Sequence, residues 1–235
     1  MAGFSWPLYA GSAVAIVIAA IVSLLPVTTL GLRLAAAAAI VVIAWFVSAS
    51  FLAFHWMFDR SELLDGTWLR SEVGSSPRRW VQISTGLEET TLPLQNVFPD
   101  AEGRMIDLYD PATMTEPALT RARKERLAGA SGIAAIEDGW GDVVLVMLAA
   151  HEIRDASARE RFFAEVARIA SSDGRVVLVE HLRDVIAAAA FGPGVFHFFP
   201  HREWLRLGKL ARLELVRERP ITPFIRVFIF AATNA

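Results

Sequence analysis

Between Met1 and Phe58 the only formal charge is Arg33, while every acidic residue and all other basic residues lie from Asp59 onward. A quarter of the chain is therefore unable to dress a water-facing surface. Leu8 to Leu25 is an uncharged run of 18 residues, and Leu34 to Met57 is one of 24 with His55 as its only titratable side chain. A helix of about 20 apolar residues spans the roughly 30 Å hydrocarbon core of a bilayer. Both runs read as transmembrane spans, near 8–25 and 34–57. The connection "PVTTLGLR" is short and broken by Pro26 and Gly31, so the spans are expected to form an antiparallel hairpin occupying residues 1–58. No basic residue precedes the first run and a second run follows it, which argues against a cleaved signal peptide.

Basic residues set the orientation. The hairpin loop offers Arg33 alone, whereas Arg60, Arg70, Arg78 and Arg79 follow the second run. The positive-inside rule then places both termini and the remaining domain in the cytoplasm, at a bacterial-type inner membrane. The absence of cysteine agrees with a compartment that forms no disulfides. Trp6, Tyr9, Trp56 and Phe58 stand where interfacial aromatic residues are expected. In "FDRSELLDGTWLRSEVG", Leu63, Leu64, Trp68 and Leu69 fall near one helical face. This stretch, residues 59–76, reads as a linker on the membrane surface or as a first helix packed onto the domain. The basic run Arg121, Arg123, Lys124 and Arg126 sits in the last turns of a predicted helix and suits the helix dipole. A net charge of −2 gives no reason to propose nucleic acid as a partner.

From residue 77 the pattern alternates. "RWVQIS" and "GRMIDLYD" read as strands, and "TEPALTRARKERLAG" as a helix capped by Thr115 and stopped at Gly129. "GDVVLVMLAA" is a continuous apolar strand. The helix after it repeats Phe162, Phe163, Val166 and Ile169, and "RVVLVEHL" is a second buried strand. Apolar strands alternating with helices predict a parallel sheet covered on both faces. Helical stretches near Asp184 to Phe191 and Arg202 to Ala211 precede "LELVRERPIT" and "FIRVFIFAA", a closing antiparallel pair.

The run from Gly141 to Leu182, with "HEIRD" after one strand and "VEHL" ending the next, resembles the second half of a class I S-adenosylmethionine-dependent methyltransferase. The terminal antiparallel pair resembles that family's sixth and seventh strands, and the likeness covers Arg78 to Ala232. The fold class it implies is α/β, a Rossmann-like methyltransferase sheet with a C-terminal antiparallel pair, preceded by the transmembrane hairpin. In the family, the first strand leads into an acidic residue and alternating glycines that let backbone approach the cofactor. Along "VQISTGLEE" those positions fall on Gln82, Ser84, Gly86 and Glu88, so one glycine of the motif is kept. Side chains at the others fill space that the cofactor's methionine part would need, and Glu88 opposes its carboxylate. The resemblance therefore implies a cofactor site that is empty or binds S-adenosylmethionine weakly. Gly86 and Asp107 are its candidate cofactor-binding residues, Asp107 in "MIDLYDP" as the ribose acid with Asp110 as substitute. The adenine-side acid is a forced match to Glu137 or Asp138, because "ASGIAAIEDGWG" leaves the third strand very short or missing.

Ligands of open parallel sheets bind at the carboxyl ends of strands. His151 and Glu152 lie at one such end, Glu180 and His181 at its neighbour. His151, Glu152 and His181 are the candidate catalytic residues for acid–base work, and no metal site is expected. His197 and His201 in "HFFPHREW" have i, i+4 spacing, but Pro200 separates them and argues against a shared helical face. His55 at the membrane edge reads as a snorkelling histidine, with pigment or quinone contact as the sharper alternative.

Two functions follow. The degenerate glycine motif favours a non-catalytic accessory or assembly subunit of a larger integral-membrane complex, photosynthetic or respiratory for example, docked through the small-residue faces of the hairpin. The alternative is a methyltransferase acting on a lipid, quinone or isoprenoid pigment at the bilayer surface, with His151 or His181 as base.

Overall fold

The computed structural model describes residues 2–73, 76–85, 94–110, 114 and 132–232, with side chains from Tyr9. Two helices open the chain, α1 (Ala2–Leu24) and α2 (Leu30–His55), and they pack against each other. Thr29 starts α2 by accepting a hydrogen bond from the Leu32 N–H, the usual remedy for unpaired first-turn donors. Arg33 turns back onto the loop and donates to the Leu25 carbonyl and the Thr28 hydroxyl. Among the described residues, one helical stretch, Leu30–Arg60, is long and apolar enough to cross a membrane; the apolar part described in α1, Tyr9–Leu24, is shorter. Among the described residues, one helix of spanning length thus stands where two were expected. His55 closes α2 with its ring 2.8 Å from Asp59, one π-helical turn on.

The segment after α2 does not rest as a free strip. Leu63, Trp68 and Leu69 are buried, the latter two on α3 (Thr67–Val73), and they belong to the same apolar cluster as the sheet. Of the two readings left open by the sequence, packing onto the domain is the one found.

The sheet has six strands: β1 (Arg79–Ser84), β2 (Glu102–Asp107), β3 (Gly141–Met147), β4 (Ala170–His181), β5 (Leu213–Thr222) and β6 (Ile225–Ala232), in the order β2-β1-β3-β4-β6-β5. The first four are parallel, and β6 runs antiparallel to both β4 and β5. β2 and β5 are the edge strands among the described residues, and a 3-10 turn, Ile133–Ala135, occupies the chain just before β3. The expected helix at 115–129 and its basic run lie outside the described residues, as does the side chain of Trp6.

Period-two alternation divides the sheet between two cores. Val81, Ile83, Val144, Val146, Val176 and Leu178 face α5 (Ala156–Ile169) and α7 (His201–Leu210), where Phe163 stacks on the fully buried Trp204. Trp80, Val143, Leu145, Val177, Val179 and Val227 face Met57, α3 and the short α4 (Leu94–Val97). Continuous apolar strands are what two covered faces demand.

Gly103 shows how tightly the second face is built. It pairs with Trp80 across β1 and β2, and a methyl group built on it would collide with the Trp80 indole. Gly103→Ala is expected to lower stability by roughly 1–3 kcal/mol through overpacking, read from urea denaturation followed by tryptophan fluorescence. An unchanged midpoint and spectrum would mean that Trp80 does not cover Gly103.

Candidate functional site at the strand ends

β3 and β4 are neighbours in register, Met147 beside Val179, so the residues that follow them meet. Leu148 takes a φ of 47°, a left-handed conformation unusual for a branched side chain, and turns the chain into a 3-10 turn, Ala150–Glu152. The apolar strand accordingly stops at Met147, short of the predicted Ala150. The turn leaves two backbone donors facing the sheet, and Glu180 meets them.

Glu180 follows Val176 and Leu178 onto the α5 side of the sheet and is fully buried. One carboxylate oxygen accepts from the Ala150 and His151 N–H groups at 2.8 and 3.2 Å; the other lies 2.7 Å from His151 Nδ1. His151 Nε2 then faces the Glu152 carboxylate at 3.4 Å, and His197 Nε2 reaches the same Glu152 oxygen at 3.3 Å. The His151 and His197 rings are 5.4 Å apart, nearly perpendicular. His181, on the opposite pleat, places Nδ1 3.2 Å from the Phe224 carbonyl and stacks on Phe198 at 4.6 Å.

Burial opposes charge on His151, but the adjacent Glu180 and Glu152 more than reverse it and hold the imidazole well above the ordinary histidine value. Burial acts to raise Glu152, and its contacts with His151 and His197 overcome that and hold it well below the carboxylate range. His181 is pushed down to about 3 by burial first and then by the charge of His151. His151, expected among the strand-end residues for acid–base work, thus lies between two carboxylates that favour its charged form. His181 stays neutral.

His197 is the residue that sequence reasoning left out of this cluster. It ends a 3-10 segment, Gly192–His197, while His201 starts α7 beyond Pro200 and pairs with Glu218 at 2.8 Å. The expected separation of the two histidines at Pro200 holds, and His197 joins residues far back in sequence that no local spacing could announce.

Beneath the cluster Arg159, almost fully buried, donates to the Ile153 carbonyl at 2.6 Å and to Glu203 at 2.8 Å, and lies over the Phe199 ring. Above it, Phe54 of α2 meets Phe191 at 5.7 Å, Phe191 meets Phe198 at 5.8 Å, and Phe198 adjoins His151 and His181. Phe191 ends α6 (Val185–Phe191), which also rests on α2 through a hydrogen bond from Trp45 Nε1 to the Ala189 carbonyl. Gly192 follows with a φ of 54° against the Phe46 ring, a place that a side chain would crowd. An aromatic layer thus runs from the apolar helix to the polar cluster.

The cofactor residues divide. Asp107 ends β2 in register with Ser84 of β1, next to the point where the chain order reverses between β1 and β3. It accepts from the Tyr109 N–H at 3.1 Å. Ser84 and Thr85 are buried, and the Gln82 amide nitrogen is buried without a partner among the described residues. Gly86 and Glu88 lie outside the described residues. Glu137 and Asp138 precede β3 and pair with Arg104 and Arg168, at the amino ends of the strands. That is the far edge of the sheet from the crevice, so neither can flank an adenine there.

No protein-family model matches the sequence, and no curated protein matches it. Solved structures do resemble it. A SAM-dependent methyltransferase from Aquifex aeolicus aligns with a TM-score of 0.53 at 16% identity, over 75% of this chain and 92% of that one. The 1,6-didemethyltoxoflavin-N1-methyltransferase of Burkholderia thailandensis, solved with 1,6-didemethyltoxoflavin and S-adenosylhomocysteine, aligns at 0.52 and 15% identity over 89% and 93%. An S-adenosylmethionine-dependent methyltransferase from Clostridium acetobutylicum aligns at 0.53 and 9% identity over 80% and 100%. Together with the sheet order, these likenesses define a class I S-adenosylmethionine-dependent methyltransferase fold.

The support under the site titrates. Hydrogen bonds from Arg206, and then from Arg159, hold Glu203 down to about 2 against the opposing effect of burial. With the folded value below the ordinary 4.5, the stabilisation is complete above that pH and drains away as pH falls toward about 2. Glu203→Gln is expected to cost roughly 1.5–3 kcal/mol at neutral pH, with the gap from the parent closing through that window in denaturant melts at stepped pH. A gap independent of pH would remove the carboxylate from this account.

Proposed function

We propose that this chain is a methyltransferase that modifies a lipophilic acceptor at the surface of the membrane it is tethered to. The observation that carries the reading is the aromatic layer Phe54, Phe191, Phe198, which connects an apolar helix of spanning length to a buried ionisable cluster at the carboxyl ends of β3 and β4. Buried charges are costly unless they are paired, and a fold kept only as a shape has no need of them. The exposed Val185, Ile186 and Phe196 extend the apolar surface of α2 around the same site. A lipid-soluble acceptor would reach the cluster along that surface without entering water.

The fold implies S-adenosylmethionine, which would supply an electrophilic methyl group. The described residues fit its ribose end: Asp107 stands at the end of β2 beside the reversal of strand order, where a carboxylate can accept ribose hydroxyls. His151, Glu152, His181 and His197 would face the acceptor, and Phe191 and Phe198 would exclude water from it. The tether would place the domain on the cytoplasmic face of the inner membrane, following the basic residues after α2. Ser84, buried where the family carries a glycine, favours the second reading, a non-catalytic subunit docked to other membrane proteins through its helices.

Full-length protein in detergent, given methyl-labelled S-adenosylmethionine and a membrane lipid extract, is expected to move label into the organic phase. Asp107→Ala should lower the apparent cofactor affinity roughly 10–100-fold, the loss of hydrogen bonds to a charged group. Absence of both transfer and cofactor binding would leave the docking subunit as the function.

A further inference from the structure

We infer that His151, Glu152 and His197 form a binding site for a divalent transition-metal cation of the zinc class, with Glu180 as its outer-sphere anchor. The ligand atoms, two imidazole nitrogens and a carboxylate oxygen, all lie within 4.8 Å of one another. Their spacing is long for charge-assisted hydrogen bonds and suits a metal between them. A charge-assisted N–H···O contact closes to about 2.7–2.9 Å, and histidine–carboxylate pairs elsewhere in this protein do so, at 2.7 Å for His151–Glu180 and 2.8 Å for His201–Glu218. The contacts of Glu152 with His151 and His197 stop at 3.4 and 3.3 Å. Ligands about 2.0–2.1 Å from a tetrahedral zinc lie roughly 3.3–3.4 Å from each other. Two of the three edges of the cluster match that figure, and the third, between the two imidazole nitrogens, is within 4.8 Å.

The tautomer points the same way. His151 Nδ1 faces the fully buried Glu180, so its proton is donated there and Nε2 turns toward Glu152. A histidine that gives one N–H to a carboxylate and offers its other nitrogen to a cation is the usual second-sphere arrangement of zinc sites. Glu180 is itself fixed by the Ala150 and His151 backbone N–H groups, so the first ligand is held before metal arrives. Three protein ligands leave a tetrahedral position open to water or to an acceptor oxygen, the pattern of catalytic sites. Imidazole and carboxylate together suit zinc, iron, cobalt or nickel ahead of magnesium or calcium.

The test needs no methyl donor, so its failure is distinct from failure of the methyltransferase reading. Chelator-treated, full-length protein in detergent is titrated with Zn²⁺ by calorimetry and with Co²⁺ by visible absorption. One equivalent of each is expected to bind, with the intense d–d bands of four-coordinate Co²⁺ appearing in step and removed by added Zn²⁺. His197→Ala, a partly exposed position that should leave the fold intact, is expected to abolish those bands and stoichiometric binding. Glu180→Gln should weaken binding about 10–100-fold, as outer-sphere changes do, while the bands persist at saturating Co²⁺. Absence of one-to-one binding by folded protein, or binding that His197→Ala leaves unaltered, would overturn the site.

Discussion

The carboxylate of Glu180 holds the functional end of the domain together. It is fully buried and takes two backbone donors and one imidazole from the turn after β3, so the ends of two neighbouring strands become one rigid unit. Buried carboxylates are tolerated only when their lone pairs are used. Everything specific to the site follows from that satisfaction: the strained Leu148, the orientation of His151, and the place where Glu152 and His197 converge. The aromatic residues around it keep the dielectric low, which strengthens these interactions and makes each one costly to lose.

The same unit lies between two differently covered faces. One side of the sheet packs on α5 and α7 as in any water-soluble α/β domain, with the Arg159–Glu203 pair fastening the helices under the site. On the other, α6 leans on α2 through Trp45 and Phe54, and apolar side chains remain exposed on both helices. Exposed apolar surface of that extent calls for a partner, and a bilayer around α2 would also cover α6. An amphiphilic acceptor, as proposed above, would suit such an arrangement.

Much of the scaffold was legible in the chain. The apolar strands announced a sheet covered on both faces, and the terminal antiparallel pair and the missing third strand among the described residues follow the reading of "LELVRERPIT", "FIRVFIFAA" and "ASGIAAIEDGWG". The strand-end rule selected His151, Glu152, Glu180 and His181. The folded structure decided one reading left open and corrected another. Leu63, Trp68 and Leu69 enter the core because α3 lies over the sheet. Glu137 and Asp138 stand at the wrong end of β3 for a cofactor, since direction along a strand decides which edge a residue reaches.

By itself the sequence determined the division of the chain into a helical quarter with a single formal charge and an α/β domain, because hydropathy and periodicity are local properties that survive any packing. It determined the chemistry available at the strand ends for the same reason, since a strand's last residues are written in order. Tertiary structure alone decided that His197 completes the cluster, that Phe54, Phe191 and Phe198 connect the apolar helix to it, and that Glu180 fixes the turn it faces. These are contacts between residues far apart in the chain, and their geometry depends on strand order and helix placement, which no spacing along the sequence encodes.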